Sequence, residues 1–320
     1  MTDPTSSTTP GGAAANPAAP GRPLRVAVTG ASGLIGAALV QRLRAEGHTV
    51  ARLVRDPSRA AAGDLVWDPD AGTIGQAALE GMDAAVHLAG ENVGTRWTEE
   101  KKRRIRDSRI KGTRLLSQTL ARLAHPPRVL VQASATGIYG DRGDETITED
   151  SAPGTGFLAE VGRDWEASSA LAEQAGIRVV KLRLGVVLSA KGGALEQLLL
   201  PFRMGVGGKI GTGRQWMPWI SLDDAVEVIV RAIHDERLRG PVNTVAGAVR
   251  NEDFTAALGR ALHRPTLIPV PAFGIRALFG QMADEALLAG QRAEPARLRA
   301  IGHIFHHPTV DAALAAALAG

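Results

Sequence analysis

From residue 24 onward, short apolar runs rich in β-branched residues alternate with longer stretches whose apolar positions recur at helical spacing. Leu24–Thr29 predicts a buried strand, followed by a glycine turn and an amphipathic helix to about Ala45, with Gly47 as its stop. Thr49–Val54 predicts a second strand, Asp64–Asp68 a short third, and Asp83–Leu88 a fourth that ends on Ala89-Gly90. A polar helical stretch over about Thr98–Leu123 leads to strand Arg128–Ala133. A helix around Gly162–Gln174 then leads to strand Ile177–Leu184. Strands separated by helices imply right-handed crossovers and a parallel sheet covered on both faces. The expected fold is α/β, a Rossmann-like doubly wound sheet over residues 23–185.

Past Gly185 the pattern loosens. Gly192-Gly193 and Gly205–Gly213 read as loops, with Trp216-Met-Pro-Trp219 held in them. Ser221-Leu-Asp-Asp224 reads as a capping box opening a helix to about Asp235. Val242–Ala246 predicts a strand, Asn251 caps another helix, Leu267–Pro271 is extended, and the C-terminus is helical. Residues 186–320 thus form a smaller mixed substrate region, with 221–247 expected to complete the first sheet. Residues 1–22, made of Thr, Pro, Ser, Gly and Ala with almost no large apolar side chain, read as a disordered tail.

Composition removes several classes of function. The chain has no cysteine, which excludes disulfides, thiolate metal sites and a cysteine nucleophile. The tail has neither the apolar core of a secretory signal nor the arginines of a transit peptide. No apolar run reaches the ~20 residues that span a bilayer. The expectation is a cytoplasmic protein, monomeric or homodimeric, with no membrane partner. Net charge is +4, and the densest basic run is Lys101–Arg104. Glu99 and Glu100 precede Arg103 and Arg104 by four, a spacing that pairs charges on a solvated helix face. No aromatic residue is interleaved to stack bases, so a nucleic-acid partner is not expected.

Thr29-Gly-Ala-Ser-Gly-Leu-Ile-Gly36 places glycines at 30, 33 and 36 between a predicted strand and a predicted helix. In that context Gly30 permits a tight turn and Gly33 lets the backbone approach a pyrophosphate. Gly36 lets helix and strand pack closely, and the helix N-terminus offers amides to the phosphates. The residue ending the second strand selects the dinucleotide: an acid suits the 2′-hydroxyl of NAD(H), an arginine the 2′-phosphate of NADP(H). Arg55 follows Val54, with Arg52 before it and Arg59 beyond, so NADP(H) is preferred. Asp56 keeps NAD(H) open as the alternative. The small residues Ala89 and Gly90 would let adenosine lie on the backbone. His87 reads as a core histidine, and Arg109 as either a phosphate ligand or a surface residue.

The glycine pattern, His87-Leu-Ala-Gly90 and Ser134-Ala-Thr-Gly-Ile-Tyr-Gly140 together resemble the short-chain dehydrogenase/reductase superfamily in its extended or atypical branch. Leu88-Ala-Gly-Glu-Asn92, Trp165-Glu166, Arg183–Leu188, Leu200-Pro-Phe-Arg203, Gly211–Ile220 and Pro269-Val-Pro271 narrow the likeness. They resemble the NAD-dependent epimerase/dehydratase family with a C-terminal domain of unknown function, over about residues 24–317. The resemblance implies an NADP(H)-binding, epimerase-like oxidoreductase acting on a small carbonyl or sugar-nucleotide substrate. It also implies cofactor contacts at Gly30, Ala31, Ser32, Gly33, Leu34 and Ile35, at Arg55, Leu88, Ala89 and Arg109, and at backbone near Leu188.

The departure is as informative. The superfamily's Tyr-x-x-x-Lys pair is absent: Tyr139 is the chain's one tyrosine, residue 143 is Gly143, and the expected place reads Phe157-Leu-Ala-Glu-Val-Gly162. Ser134 and Thr136 remain candidates to bond a substrate oxygen and Tyr139 a candidate acid, although Tyr139 also reads as structural. Without a proton donor, a silent NADPH-sensing protein is the alternative. Arg214, Trp216 and Trp219 suit an anionic or planar substrate, or a core. Pro308 follows His303, His306 and His307 at once, so no metal is expected.

Overall fold

The computed structural model describes residues 22–319; the expected tail lies outside the described residues save Arg22. The chain runs β1 (Arg25–Thr29), α1 (Leu34–Ala45), β2 (Thr49–Val54), β3 (Leu65–Asp68), β4 (Thr73–Ile74), β5 (Ala84–His87), α2 (Glu99–Leu120), β6 (Val129–Ala135) and β7 (Thr146–Ile147). It continues through α3 (Phe157–Ala167), α4 (Ala170–Gln174), β8 (Arg178–Leu184), β9 (Val186–Leu188), α5 (Gly193–Arg203), β10 (Trp216–Ser221), α6 (Leu222–His234) and β11 (Gly240–Thr244). It closes with β12 (Gly247–Arg250), α7 (Asn251–Leu262), α8 (Ala272–Phe279), a π-helical turn at Ala283–Leu287, β13 (Arg292–Ala293), α9 (Ala296–Ala300) and α10 (Val310–Ala319).

Eight strands form the main sheet in the order β11-β8-β6-β5-β1-β2-β3-β4, all parallel except the β3–β4 edge hairpin. Alternation along each strand sends neighbouring side chains to opposite faces. Val26 and Val28 pack beneath α1 and α6 with Leu39, Leu43 and Ile229, whereas Ala27 and Ala85 pack beneath α2 and α4 with Leu116, Leu120 and Ala172. β2 flanks one side of β1 and β5 the other, so the chain reverses its winding at β1 and opens a crevice at the carboxyl ends of β1 and β5. The doubly wound fold is therefore as the periodicity implied, and β11 joins the sheet at β8.

The second half differs from its sequence reading. Trp216–Trp219 is not a loop: β10 pairs antiparallel with β12 and parallel with β9, making a second, three-stranded sheet. Pro218 hid this strand, since proline argues against a ladder position. α5 was also missed, because Gly193 opens it and Pro201 lies inside it. α3 begins at Phe157, earlier than expected, capped from far along the chain. The Glu285 carboxylate in the π-helical turn accepts from Phe157 N–H at 3.1 Å and Leu158 N–H at 2.8 Å. Ser221 caps α6 as expected, accepting from Asp224 N–H and donating to its carboxylate at 2.7 Å. The basic run is only partly a solvated face: Lys101 turns inward to Glu91 at 2.5 Å, and Glu99 pairs with Lys102 at 2.8 Å.

Candidate functional site

The crevice at the ends of β1 and β5 is held shut from below by one hydroxyl. Thr29 Oγ1 accepts from Leu88 N–H at 3.1 Å and Ala89 N–H at 3.2 Å, so its own proton goes to His87 Nδ1 at 2.7 Å. That leaves the imidazole proton on Nε2, buried without a partner against Trp67 and Gly112. Burial alone pulls the His87 pKa down to about 4, so the ring is neutral. His87 is a core residue that stitches two strands.

Above this stitch the chain turns tightly. Gly30 takes φ +68°, and a Cβ there would lie 2.7 Å from the Leu88 carbonyl carbon. A Cβ on Gly36 would stand 2.1 Å from the Gly30 carbonyl oxygen, so no other residue allows this crossing. Ala31 is buried beneath the turn, whereas Ser32 and Gly33 face solvent at its crest. Gly33 is the N-cap of α1 and offers no side chain to the first amides, and the first turn carries no acid. These donors point outward without a cap, under the positive end of the helix dipole. Such a terminus fits a pyrophosphate. Beside it a cleft of about 330 Å³ is lined by Leu34, Ile35, Leu88, Ala133, Leu184 and Val187, an apolar set of the kind that lines small-molecule sites. Leu188 itself is buried in the second core, and its neighbour Val187 is the one that lines this wall.

At the ribose end the two acid–base alternatives separate. Asp56 turns back on its own chain, accepting from Ser58 N–H at 2.9 Å and Ser58 Oγ at 2.7 Å, and these bonds hold its pKa low. Arg52 is tied to Asp64 across the strand. Arg55 is exposed and makes no side-chain hydrogen bond or ion pair, feeling only the nearby Glu91 charge, which leaves its guanidinium available. Across the crevice Arg109 lies over the Gly90 backbone, 3.4 Å from where a Cβ would be, and stacks at 5.0 Å on Trp165. It donates to the Glu91 and Ile105 carbonyls and forms no carboxylate pair. Loss of water pulls its pKa down to about 10, so it remains a cation at neutral pH.

The end of β6 corrects the catalytic expectations. Ser134 faces away from the cleft and donates to Glu166 at 2.7 Å. Glu166 in turn receives Arg183 through both oxygens, at 2.8 and 2.9 Å. Arg183 donates to the Tyr139 hydroxyl at 2.8 Å and lies over its ring, and that hydroxyl donates to Asn243 Oδ1 at 2.6 Å. Burial raises the Tyr139 pKa, and the ring has no exposure. Burial also works against the Arg183 charge, but the Glu166 bonds outweigh it and raise its pKa. Tyr139 is a strut, and Ser134 is part of the same knot. The residues of this strand end that do face outward are Ala133, in the cleft wall, and the exposed Ala135. Thr136 is nearly buried, and its hydroxyl has no protein partner.

The tryptophan motif is corrected as well. Trp219 is buried in the core of the second sheet with Leu195 and Phe254, out of reach of any substrate. Trp216 is half-buried but occupied: the Arg250 and Arg292 guanidinium carbons lie 4.3 and 4.8 Å from its ring centroid, and its Nε1 donates to Asp144 at 2.9 Å. Arg214 is exposed beside them and makes no side-chain hydrogen bond, its charge acting on Asp144 through space. Sequence reasoning missed Arg250 and Arg292, which lie 36 and 78 residues beyond Arg214, and the Glu166–Arg183 pair. The available signal for the pair was an arginine set between Leu182 and Leu184 in strand β8, since a buried charge needs a partner. The C-terminal histidines do not converge. His303 is buried against Phe305, whereas His307 Nδ1 meets Ser221 Oγ at 3.1 Å. Among the described residues no His, Asp and Glu cluster could hold a metal ion.

Comparison with known proteins assigns two regions of the chain to families. Residues 26–245 match the NAD dependent epimerase/dehydratase family and residues 270–317 a domain of unknown function, DUF1731. An epimerase family protein of Mycobacterium tuberculosis is 46% identical over 291 residues, covering 90% of this chain and 96% of that protein. The crystal structure of human epimerase family protein SDR39U1 (isoform 2) with NADPH superposes with a TM-score of 0.86 at 35% identity, covering 93% of this chain and all of that one. A nucleoside-diphosphate sugar epimerase from Corynebacterium glutamicum is similar at a TM-score of 0.77 and 40% identity, covering 92% of this chain and 58% of that one.

Proposed function

The chain belongs to the NAD dependent epimerase/dehydratase family, and from that premise we propose that it is an NADP(H)-dependent oxidoreductase or epimerase. NAD(H) is the weaker ligand, and the substrate is a small carbonyl compound or sugar nucleotide. The observation that carries the reading is the uncapped, acid-free N-terminus of α1, approached by backbone that only Gly30 and Gly36 permit. The α1 amides would hold the pyrophosphate, Arg55 the 2′-phosphate, Arg109 a phosphate from the opposite wall, and Ala89 and Gly90 the adenosine. The bound nicotinamide would supply hydride exchange, and the apolar cleft wall would keep water from it. Around Trp216, the cations Arg214, Arg250 and Arg292 face one acid, Asp144, which suits an anionic substrate group. The NADPH of the human relative and the sugar nucleotide named for the Corynebacterium protein agree with both halves of this reading.

A second reading, a nucleotide-sensing protein without turnover, is favoured by one observation: Ala133 and Ala135 stand where a hydroxyl would face the cleft, and Tyr139 is locked away. Calorimetry with NADPH and NADH tests the cofactor part. We expect NADPH to bind more tightly, and Arg55→Ala to weaken it about tenfold or more while leaving NADH unchanged, since a charged hydrogen bond is worth about 1.5–3 kcal/mol. Equal affinities in the unmodified protein would sink the assignment. Oxidation of NADPH on a panel of carbonyls and sugar nucleotides decides between enzyme and sensor.

A further inference from the structure

We infer that the face made by the C-terminal end of α5, the 204–210 loop and the 264–273 segment docks on an anionic lipid bilayer. These three stretches form one surface. Arg264 Nε donates to the Arg203 carbonyl at 2.9 Å, the Ile268 carbonyl sits against Gly208 with no space for a Cβ, and Val270 N–H donates to the Lys209 carbonyl at 2.8 Å. Large apolar side chains stand out from it: Leu267 at 88% exposure, Phe273 at 77%, Leu200 at 68% and Met204 at 67%, with Val206 and Ile268 between them. A concentration of this kind on one face marks an interaction site rather than scattered surface residues.

The charges around these tips select the partner. An open hollow of about 630 Å³ adjoins Leu267, lined by Gly259, Arg260, His263, Arg264 and Thr266. Arg260 and Lys209 are neutralised by Asp311 and Glu252. Arg264 is held only by backbone carbonyls, and Arg203 has no partner for its side chain among the described residues. A second copy docked here would bring Arg203 and Arg264 towards their own images. Residues 1–21 hold no large apolar side chain except Met1 and offer nothing to cover the patch. Nucleic acid would want stacking rings, and Phe273 is the one aromatic among the exposed tips. Protruding aliphatic tips beside uncompensated guanidinium groups suit the boundary of headgroup and acyl chain, with lipid phosphate in the hollow. No described helix is long and apolar enough to cross a membrane, which is a separate matter from lying on one.

The test is co-sedimentation of the full chain with vesicles of phosphatidylcholine mixed equally with phosphatidylglycerol, against phosphatidylcholine alone. We expect capture by the anionic vesicles and about tenfold less by the neutral ones. The Leu267→Asp/Phe273→Asp double variant should lose about tenfold in anionic capture, and Arg203→Glu should lose severalfold, both with an unchanged melting temperature. Absence of capture would overturn the proposal, as would capture indifferent to both variants. A dimer in sedimentation velocity that Leu267→Asp dissolves would overturn it in favour of a second copy. None of these readouts depends on the cofactor assignment.

Discussion

The ends of β1 and β5 and the ends of β6 and β8 lie side by side in one sheet, yet they treat polar groups in opposite ways. At β1, the amides that open α1 carry no capping side chain, and Arg55 makes no hydrogen bond or ion pair to a carboxylate, only a through-space attraction to Glu91. At β6 the charged and phenolic groups bond to one another: Ser134, Glu166, Arg183, Tyr139 and Asn243 form an unbroken chain. Unmet donors at an exposed crest are a standing site for an anion, because water is their one competitor. A closed buried network offers nothing to a ligand, but losing one member strands the rest. Polar residues at adjacent strand ends therefore serve binding in one place and stability in the other.

Breaking the closed end should give the largest effect. Glu166→Ala leaves Arg183 buried and uncompensated, and we expect a loss of about 3–5 kcal/mol in urea unfolding. NADPH affinity, measured well below the new midpoint, should stay within about twofold. Intact stability with abolished turnover would instead make the knot part of the chemistry. The second effect tests the stitch beneath the open end. With the His87 pKa depressed to about 4 against an ordinary value near 6.5, the unfolded chain binds the extra proton between those pH values. Stability from this group is complete above about pH 6.5 and is lost as pH falls toward 4, by up to about 3 kcal/mol. Comparing unfolding at pH 7 and pH 5 for the unmodified chain and His87→Gln should show a shallower acid loss in the variant. The third effect is on the cradle. Gly36→Ala forces a methyl into the Gly30 carbonyl, costing roughly 1–3 kcal/mol of stability and removing most NADPH binding by calorimetry. Retained binding would mean that the open end is not where the dinucleotide sits.

What was legible in the sequence follows the same boundary. The turn at Gly30–Gly36 is set by residues within one strand and one helix, so its spacing and context suffice to read it. Arg55 favoured NADP(H), yet Asp56 stayed open as an alternative, because the bond to Ser58 that turns it away depends on a 3₁₀ turn too short to leave a periodic signal. Tyr139 was ambiguous for a different reason: its partner Asn243 lies 104 residues away, and only the folded sheet brings them together. β10 was masked by Pro218, and α5 by the glycines before it and Pro201 within it. Strand alternation, applied to β6, would have turned Ser134 away from the face of Ala133 and Ala135.

The cap that Glu285 places on α3 has a consequence for the order in which the chain can be built. α3 emerges from synthesis about 128 residues before the carboxylate that satisfies its first amides. Asp224 likewise waits for the backbone of His306 and His307, and Glu149 for that of Arg297. A nascent chain halted near residue 245, where the match to the epimerase family ends, would hold the main sheet with several of its ends unsealed. Closure of so many long loops is slow. The C-terminal segment is thus a late-arriving fastener, and chains cut before it should linger as targets for chaperones and proteases.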